Sequence, residues 1–448
     1  METAATTTTA AAVETRPLDP EVREFLEKYD FSACLACGTC SSGCPVTGTP
    51  GMEGWDTRKV MRMLGIGLVE EVVASKFPWL CTGCGRCAYS CPMGIDIPAV
   101  MAHMKSLRPR GQVPGTLHQG MQNNLDTGNN LAIEKSEYLE GMADLGADLA
   151  EECPGFYVPI DKQGARTLFF PNSKEVYGDF EDQFWWWKVF YAAGEDWTVP
   201  SEGWEAVDWA LFTGNYEGNR LLAKRKIDFM HRFGIERMIM PDCGGGSYGC
   251  RKGMETCVLE DPNNQVGFIY LYDYLIEIIR EGRITLDKSV NAGRRFTWHD
   301  SCKHGRELER HFGKGFYDEP RWIIRQCVDD FVDMTPSRGL NYCCGAGGGM
   351  WPMPFEDESA HHARHKYEQI RRTGADVVVV GCSNCRDQIM KRIPKYYREY
   401  KYEVKYIWQL VSETLVLTPW ERELVREANE LADAQWKRLG VDMAALRG

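Results

Sequence analysis

Apolar positions along the chain follow two periods, one typical of buried strands and one typical of amphipathic helices. Val377–Val380 is a continuous apolar run, and a run of the same length covers residues 295–298. Runs of this length predict buried parallel strands. Residues 56–74 carry apolar side chains at helical spacing, and Asp56 is placed to cap that helix. Further helices are predicted over residues 20–31, 97–107 and 419–444. The pattern as a whole favours a mixed α/β fold.

Eighteen of the 448 residues are cysteine, and many of them stand in two copies of one spaced motif. The motif C-x2-C-x2-C-x3-C-P is typical of bacterial ferredoxins that hold two [4Fe–4S] clusters, and the fourth cysteine of each run binds the other cluster. One cubane is therefore predicted on Cys34, Cys37, Cys40 and Cys91. The other cubane is predicted on Cys81, Cys84, Cys87 and Cys44.

A second group of cysteines comes from three separate loops: Cys302, Cys343, Cys344, Cys382 and Cys385. Cys302 and Cys382 follow predicted strands, so the strand ends would present their sulfurs. Glycines after the Cys343–Cys344 pair would let the backbone approach a bulky inorganic ligand. A structural zinc site is one alternative, but zinc ligands usually stand two to four residues apart. Disulfides and inert buried cysteines are the others, and nothing else in the chain indicates an oxidising compartment.

The pattern C…CCG…CxxC in these loops resembles the cysteine-rich CCG domain of heterodisulfide reductase and its relatives. The resemblance implies that the five cysteines hold a non-cubane [4Fe–4S] cluster that cleaves a disulfide-type bond. It covers about residues 20–415, and this stretch is similar to the D-subunit of heterodisulfide reductase and its relatives in sulfate reducers. It implies an α-helical two-cluster ferredoxin domain followed by a two-lobed α/β CCG domain.

CCG domains usually contain two related halves, and a faded first half can be aligned through residues 167–173 and 237–243. The cysteine positions of this half are occupied by Ser173, Thr213, Gly214 and Gly246, while Cys243 remains. We therefore expect a structural pseudo-repeat without its own cluster. Cys243, Cys250 and Cys257 lack a fourth ligand for a separate metal site, and we expect them to line the cleft between the halves.

The chain is predicted to divide into six segments. They are a disordered tail (1–18), the ferredoxin domain (19–110), a linker (111–165), the degenerate CCG half (166–290), the ligand-bearing CCG half (291–418) and a C-terminal helix (419–448). The net charge of −12 argues against nucleic acid and acidic membrane surfaces as direct partners. No apolar run reaches the length of a membrane span, and the first residues do not form a signal peptide, so a cytoplasmic location is expected.

Reduction of a disulfide requires two electrons and two protons. His299 and His304 flank Cys302 and are the preferred proton donors, with His361, His362 and His365 as a second group. The resemblance implies an oxidoreductase that reduces or forms a disulfide, heterodisulfide or related persulfide bond of a small molecule or small protein. It also implies a membrane-linked respiratory complex on the inner face of the cell membrane, with a membrane cytochrome b or other iron–sulfur subunits.

Two alternatives to a disulfide-converting enzyme stay open on the sequence. One is a non-catalytic subunit that relays electrons between a quinone or cytochrome partner and another enzyme. The other is the iron–sulfur subunit of a dehydrogenase for glycolate, lactate or glycerol phosphate, in which a separate subunit would carry the flavin. The glycine runs at residues 244–246 and 347–349 do not form a nucleotide-binding fingerprint.

Overall fold

The computed structural model describes Glu24 and residues 27–447. The expected tail at residues 1–18, and half of the helix expected over residues 20–31, lie outside the described residues. The rest is mixed helix and sheet, as the apolar pattern predicts, with a helical N-terminal module followed by two sheet-containing lobes.

The N-terminal module consists of short helices connected by cysteine-rich loops. Its helices are Thr39–Ser42, Thr57–Gly65, Val69–Ala74, Phe77–Leu80, Arg86–Tyr89 and Ile97–Ser106. Asp56 caps the second helix by accepting a hydrogen bond from the backbone N–H of Lys59, as predicted. The single helix predicted over residues 56–74 is wrong, because Gly67 adopts a left-handed turn with φ of 84° that separates two helices.

The segment expected as a linker contains two helices, Gly115–Thr127 and Lys135–Glu152. Their apolar side chains are buried, and Tyr138 stacks on Trp204 of the first lobe at a centroid distance of 4.5 Å. This segment therefore packs as part of the first lobe's core. The boundaries of the predicted domains stay predictions.

Each lobe contains a four-stranded parallel sheet, and the two sheets have the same topology. The first has β1 (Thr167–Leu168), β2 (Trp197–Thr198), β3 (Arg237–Ile239) and β4 (Gly267–Ile269), in the order β2-β1-β3-β4. The second has β5 (Arg295–Trp298), β6 (Asp330–Asp333), β7 (Val377–Val380) and β8 (Glu403–Tyr406), in the order β6-β5-β7-β8. This equivalent order supports the pseudo-repeat that the sequence predicts.

Helices cover the faces of both sheets, because parallel strands need crossover connections. Those of the first lobe are Ser173–Tyr177, Asp182–Ala192, Tyr216–Phe233, Gly244–Glu260 and Leu271–Arg280. Those of the second lobe are Leu308–Phe312, Asp318–Cys327, Glu356–His362, Arg364–Thr373, Ser383–Asp387, Ile393–Tyr396 and Ile407–Glu413. Trp186 of the first lobe stacks on Trp408 of the second at 5.6 Å, so one core joins the lobes.

The C-terminal segment forms the helices Arg422–Leu439 and Met443–Arg447. The sequence predicts that the first of these helices starts at Pro419. In the structure it begins three residues later, at Arg422. Gln435 donates a hydrogen bond to the carbonyl of Val158, and Trp436 is buried, so this helix packs on the first lobe. Over the residues that the structure describes, none of the helices combines the length and the apolar character of a membrane span.

Candidate metal centres

The cysteines of the two ferredoxin motifs line two separate cavities in the N-terminal module. Cys34, Cys37 and Cys40 of the first run line one cavity together with Cys91 of the second run. Cys81, Cys84 and Cys87 line the other cavity together with Cys44. Each cavity thus receives three sulfurs from one run and one from the other. Apolar side chains such as Met61, Phe77 and Ile97 complete the walls, as a water-poor cluster site requires.

Local backbone geometry explains how the short runs wrap these cavities. Gly38 and Gly85 adopt φ angles of 84° and 74° immediately before short helices, which L side chains rarely adopt. The turns direct consecutive cysteines toward the same cavity. Gly83 has a φ of 59° between Cys81 and Cys84 and serves the same purpose.

The cysteines of the C-terminal lobe converge although three loops deliver them. Cys302 follows β5, Cys382 follows β7 and caps the helix that carries Cys385, and the Cys343–Cys344 pair lies in the loop after β6. All five are buried. The Sγ atoms of Cys344 and Cys385 are 3.2 Å apart, and donor atoms of His299, Cys344 and Cys385 all lie within 4.8 Å of one another. We call the place where these five cysteines converge the CCG site.

The second ferredoxin cavity lies directly beside the CCG site. The side chains of Cys84, Cys302 and Cys343 form one buried contact group, and the Cys343 Sγ lies 3.4 Å from the Thr82 hydroxyl. A hydrogen bond from the Cys343 thiol lowers the pKa of Cys84 against the opposing effect of burial, and the charge of Arg306 assists. The sulfurs of the two sites are therefore direct neighbours.

Arg306 connects the two modules at this point, and sequence reasoning missed it. Its fully buried guanidinium donates to the carbonyls of Cys84 (3.0 Å), Gly339 (3.1 Å) and Asn341 (2.7 Å). It thereby ties the ferredoxin loop to the loop that leads into Cys343. Arg306 lies four residues after Cys302, within a π-helical turn. Its closeness to Cys302 in the sequence is the only signal that could have indicated its role.

The glycines after Cys344 allow a close approach, but the partner is a protein backbone. A methyl group at Gly348 would lie 2.7 Å from the carbonyl oxygen of Cys81, and one at Gly347 would lie 2.7 Å from that of Thr82. The glycine loop therefore packs on the second ferredoxin motif. In addition, the Lys105 ammonium donates to the carbonyl of Gly348 at 3.2 Å.

The histidines chosen from the sequence lie beside the CCG site. His299 is buried next to Cys344, and neither ring nitrogen has a hydrogen-bond partner among the described residues. The Nδ1 atom of His304 lies 3.1 Å from the Tyr272 hydroxyl of the first lobe, and burial lowers the pKa of His304 to about 4.

The second group of histidines lies farther along the chain, and two of its three members contact the ferredoxin module. His362 Nε2 lies 3.2 Å from the Thr49 hydroxyl, and His361 Nε2 lies 3.4 Å from the carbonyl of Thr47. His365 stacks on Tyr342. The contacts of His361 and His362 therefore join the second lobe to the ferredoxin module, whereas that of His365 lies within the second lobe.

Asp300 holds the Cys302 loop in place through a dense set of contacts. It accepts two hydrogen bonds from Arg321, at 2.7 and 2.9 Å, and one from the indole of Trp298 at 3.0 Å. These contacts pair a buried carboxylate, whose burial without a partner would destabilise the fold. Asp300 is thus an anchor of the loop.

The three cysteines of the first lobe are not brought together. Cys243 is at the CCG site, with its Sγ 3.9 Å from that of Cys382. Cys250 contacts Met254, and Cys257 lies against the carbonyl of Arg220. The expectation that all three line one cleft is therefore wrong, because successive members are seven residues apart and lie about two helical turns, or roughly 10.5 Å, apart along the helix axis.

An open cavity of about 440 Å³ lies where the ferredoxin module meets both lobes. Cys81, Lys105, Phe212, Tyr248 and Lys303 are among its lining residues. The Lys303 ammonium lies 4.0 Å from the Tyr248 ring centroid and 3.3 Å from Glu307. The cavity therefore leads from solvent to Cys81 of the second ferredoxin motif and to Lys303, which follows Cys302 in the sequence.

Comparison with known proteins matches both regions to families. Residues 30–95 match a 4Fe-4S dicluster domain, and residues 296–390 match a cysteine-rich domain of the CCG type. The second iron-sulfur subunit of an Hdr-like menaquinol oxidoreductase from Archaeoglobus fulgidus is 24% identical, over 87% of this chain and 80% of that protein.

Two further relatives are parts of heterodisulfide reductases. The D-subunit of the dihydromethanophenazine:CoB–CoM heterodisulfide reductase of Methanosarcina acetivorans is 22% identical, over 85% of this chain and 93% of that protein. The iron-sulfur C-subunit of the CoB–CoM heterodisulfide reductase of Methanopyrus kandleri is 41% identical over 76 residues, which are 17% of this chain and 38% of that protein.

The described residues fit iron–sulfur clusters. Sulfur is the usual protein ligand of such clusters. The two cavities present it between largely apolar walls, and the five cysteines of the CCG site present it from buried positions. The matched domains agree with this donor set. The chain is thus an iron–sulfur protein of oxidoreductase type, and over most of its length it resembles the D-subunit of heterodisulfide reductase and Hdr-like iron–sulfur subunits.

Proposed function

We propose that this chain passes electrons from two [4Fe–4S] cubanes to a non-cubane [4Fe–4S] cluster at the CCG site, where a disulfide, heterodisulfide or related thiol/persulfide bond is reduced or formed. The first cubane would be held by Cys34, Cys37, Cys40 and Cys91, and the second by Cys44, Cys81, Cys84 and Cys87. The CCG cluster would be held by Cys302, Cys343, Cys344, Cys382 and Cys385. When bound, such clusters supply electrons one at a time.

The contact of Cys84 with Cys302 and Cys343 carries this proposal. A ligand of the second ferredoxin cavity touches two ligands of the CCG site, so electrons need not cross an insulating layer of protein. Arg306 and the glycine loop fix this contact from both sides. The CCG site is therefore the inner end of a chain of redox centres.

Protons must reach the same place, because RSSR′ + 2e⁻ + 2H⁺ gives RSH + R′SH. His299 and His304 are the candidate proton carriers by position, since one lies beside Cys344 and the other reaches Tyr272 across the lobe boundary. The cavity that reaches Lys303 is the candidate route for a thiol or disulfide substrate.

The relatives favour a role within a larger assembly. One is named as a subunit of a menaquinol oxidoreductase and another as a subunit of a heterodisulfide reductase. We therefore propose that this chain receives electrons from a membrane cytochrome b or another iron–sulfur subunit. Its place would be peripheral, on the cytoplasmic face of the membrane.

A relay without catalysis is the second candidate, and one observation favours it. The cysteines of the CCG site are all buried, whereas the open cavity is lined by Cys81 of the second ferredoxin motif. A partner that docks at this cavity could exchange electrons with the second cubane directly. The two functions differ in whether a disulfide is consumed.

Iron content and turnover test the proposal together. Two cubanes and one CCG cluster require about twelve iron atoms per chain. Anaerobically purified protein should return that value, and a value near eight would contradict a cluster at the CCG site. For each two electrons, the reduced protein should then release two thiols from a small disulfide, or one thiol and one sulfide from a persulfide. Reduction of a partner redox protein without thiol release from any disulfide would instead favour the relay.

A further inference from the structure

Cys243 belongs to the first lobe, yet its sulfur lies at the CCG site of the second. The two Sγ atoms of Cys243 and Cys382 are 3.9 Å apart, and both residues are buried. Two thiolate sulfurs that are bound tetrahedrally to one metal ion at about 2.3 Å lie about 3.8 Å apart. The observed separation therefore matches two sulfurs that share a metal ion and is far longer than the roughly 2.05 Å of a disulfide.

The two cysteines occupy equivalent places in the two lobes. Cys243 follows β3 and caps helix Gly244–Glu260, while Cys382 follows β7 and caps helix Ser383–Asp387. The pseudo-repeat thus brings the corresponding strand ends of both sheets to one point. Because the first lobe has lost its other ligand cysteines, Cys243 has no cluster of its own to serve.

The start of helix Gly244–Glu260 lies beside Cys243 at the CCG site. Cys243 is the N-cap residue of helix Gly244–Glu260, so the positive end of this helix dipole lies beside its sulfur. Buried polar atoms nearby have no hydrogen-bond partner among the described residues, namely Asp242 Oδ1, Ser247 Oγ and Ser301 Oγ. A methyl group at Gly244 would lie 2.7 Å from Ser301 Oγ, so the helix start is pressed against the Cys302 loop.

We propose that Cys243 is a sixth thiolate ligand of the CCG cluster, supplied by the degenerate lobe to the iron that Cys382 binds. This inference rests on the proposed cluster at the CCG site. It gives the first lobe a chemical purpose beyond packing, since the cluster then joins both lobes. The shared site would hold the lobes in register around the position where the sulfur chemistry takes place.

The test compares Cys243→Ser with Cys250→Ser in anaerobically purified protein, by iron assay and Mössbauer spectroscopy. Cys250 is a matched control, because it is buried on the same helix and contacts Met254. Cys243→Ser should change the signals of the CCG iron sites or lose one iron atom, and the cubane signals should stay unchanged. Cys250→Ser should match the wild type. A Cys243→Ser protein with wild-type iron content and spectrum would overturn the inference.

A crystal structure of the iron-loaded wild type decides the question if Cys243→Ser does not fold. The inference requires an iron atom about 2.3 Å from the Cys243 Sγ. A Cys243 sulfur with no iron within bonding distance, or one joined to Cys382 as a disulfide, would overturn it while the proposed function stands. Wild-type protein with only about eight iron atoms would overturn both proposals, because the CCG site would then hold no cluster.

Discussion

At the scale of single residues, the spacing of the ferredoxin cysteines already predicts which sulfurs meet. Cys44 lies close in sequence to Cys40, yet it lines the cavity of Cys81, Cys84 and Cys87. The C-P motif predicts this crossing, because the fourth cysteine of each run binds the other cluster and the proline after it turns the chain away. The sequence could not predict Arg306, since an arginine next to a ligand loop has no pattern of its own.

Substitution of Cys44 tests the crossed arrangement. Cys44→Ser should disturb the cubane of Cys81, Cys84 and Cys87 and leave that of Cys34, Cys37 and Cys40 intact. Site-resolved EPR or Mössbauer spectra of the reduced protein distinguish the two cubanes. If the signal of the Cys34–Cys40 cubane disappears instead, each cysteine run binds its own cluster and the assignment is wrong.

Asp182 contributes a pH dependence at the lobe boundary. It accepts a 2.9 Å hydrogen bond from Arg386, but burial raises its pKa from 3.8 to about 6. The folded state thus holds the proton more tightly than the unfolded state, so the stabilisation is complete below about pH 4 and is lost as the pH rises through 6.

The Asp182→Asn variant isolates this titration. The unfolding free energy of the wild type, relative to the variant, should fall by roughly 2 kcal/mol as the pH rises from about 4 to 6. Denaturant unfolding of both proteins across this range measures the difference. If the unfolding free energies of the two proteins change in parallel with pH, Asp182 does not titrate in this range.

At the scale of elements, apolar runs predict the strands that deliver Cys302 and Cys382, and the structure contains both as β5 and β7. Equivalent strand orders in the lobes confirm the repeat in pattern. The helix boundaries are less predictable from the sequence than these strands. Gly67 divides a continuous apolar stripe, and residues 111–165 contain helices whose burial depends on contacts such as Tyr138 with Trp204. Local sequence does not encode such tertiary contacts.

The glycine loop provides a test of the contact between elements. Gly348 has a φ of 63° and lies against the backbone of Cys81, whereas Gly313 has a φ of 75° with nothing within 4 Å. Alanine at either position costs about 1–2 kcal/mol for the left-handed backbone. Gly348→Ala should cost about 1–3 kcal/mol more, because the loop must also move away from the ferredoxin motif.

Denaturant unfolding of Gly348→Ala and Gly313→Ala measures this difference. Electron transfer from the cubanes to the CCG site should also slow in Gly348→Ala, since the Cys84–Cys343 contact would loosen. The control variant Gly313→Ala should transfer electrons at the wild-type rate. Equal stabilities and equal rates in the two variants would mean that the loop contact is unimportant.

At the scale of the whole molecule, the structure places the second ferredoxin cavity against the CCG site, and an open cavity lined by both lobes reaches Cys81 of the same ferredoxin motif. Motifs in the sequence predict the two sets of cysteines but not their contact, because that contact depends on how the modules pack. The resulting order of centres is linear. Electrons would pass from the cavity of Cys34 to that of Cys84, and from there to Cys343.

Rapid mixing of the prereduced protein with a disulfide tests this account most directly. Cys343→Ser is the informative variant, and Cys327→Ser is the control, because Cys327 is buried in the same lobe beside Thr414. The wild type and Cys327→Ser should be reoxidised with release of two thiols for each two electrons. Cys343→Ser should keep both reduced cubanes, and it should release no thiol. Full disulfide-dependent reoxidation of Cys343→Ser would contradict the central claim that the CCG site is where the sulfur bond is cleaved or formed.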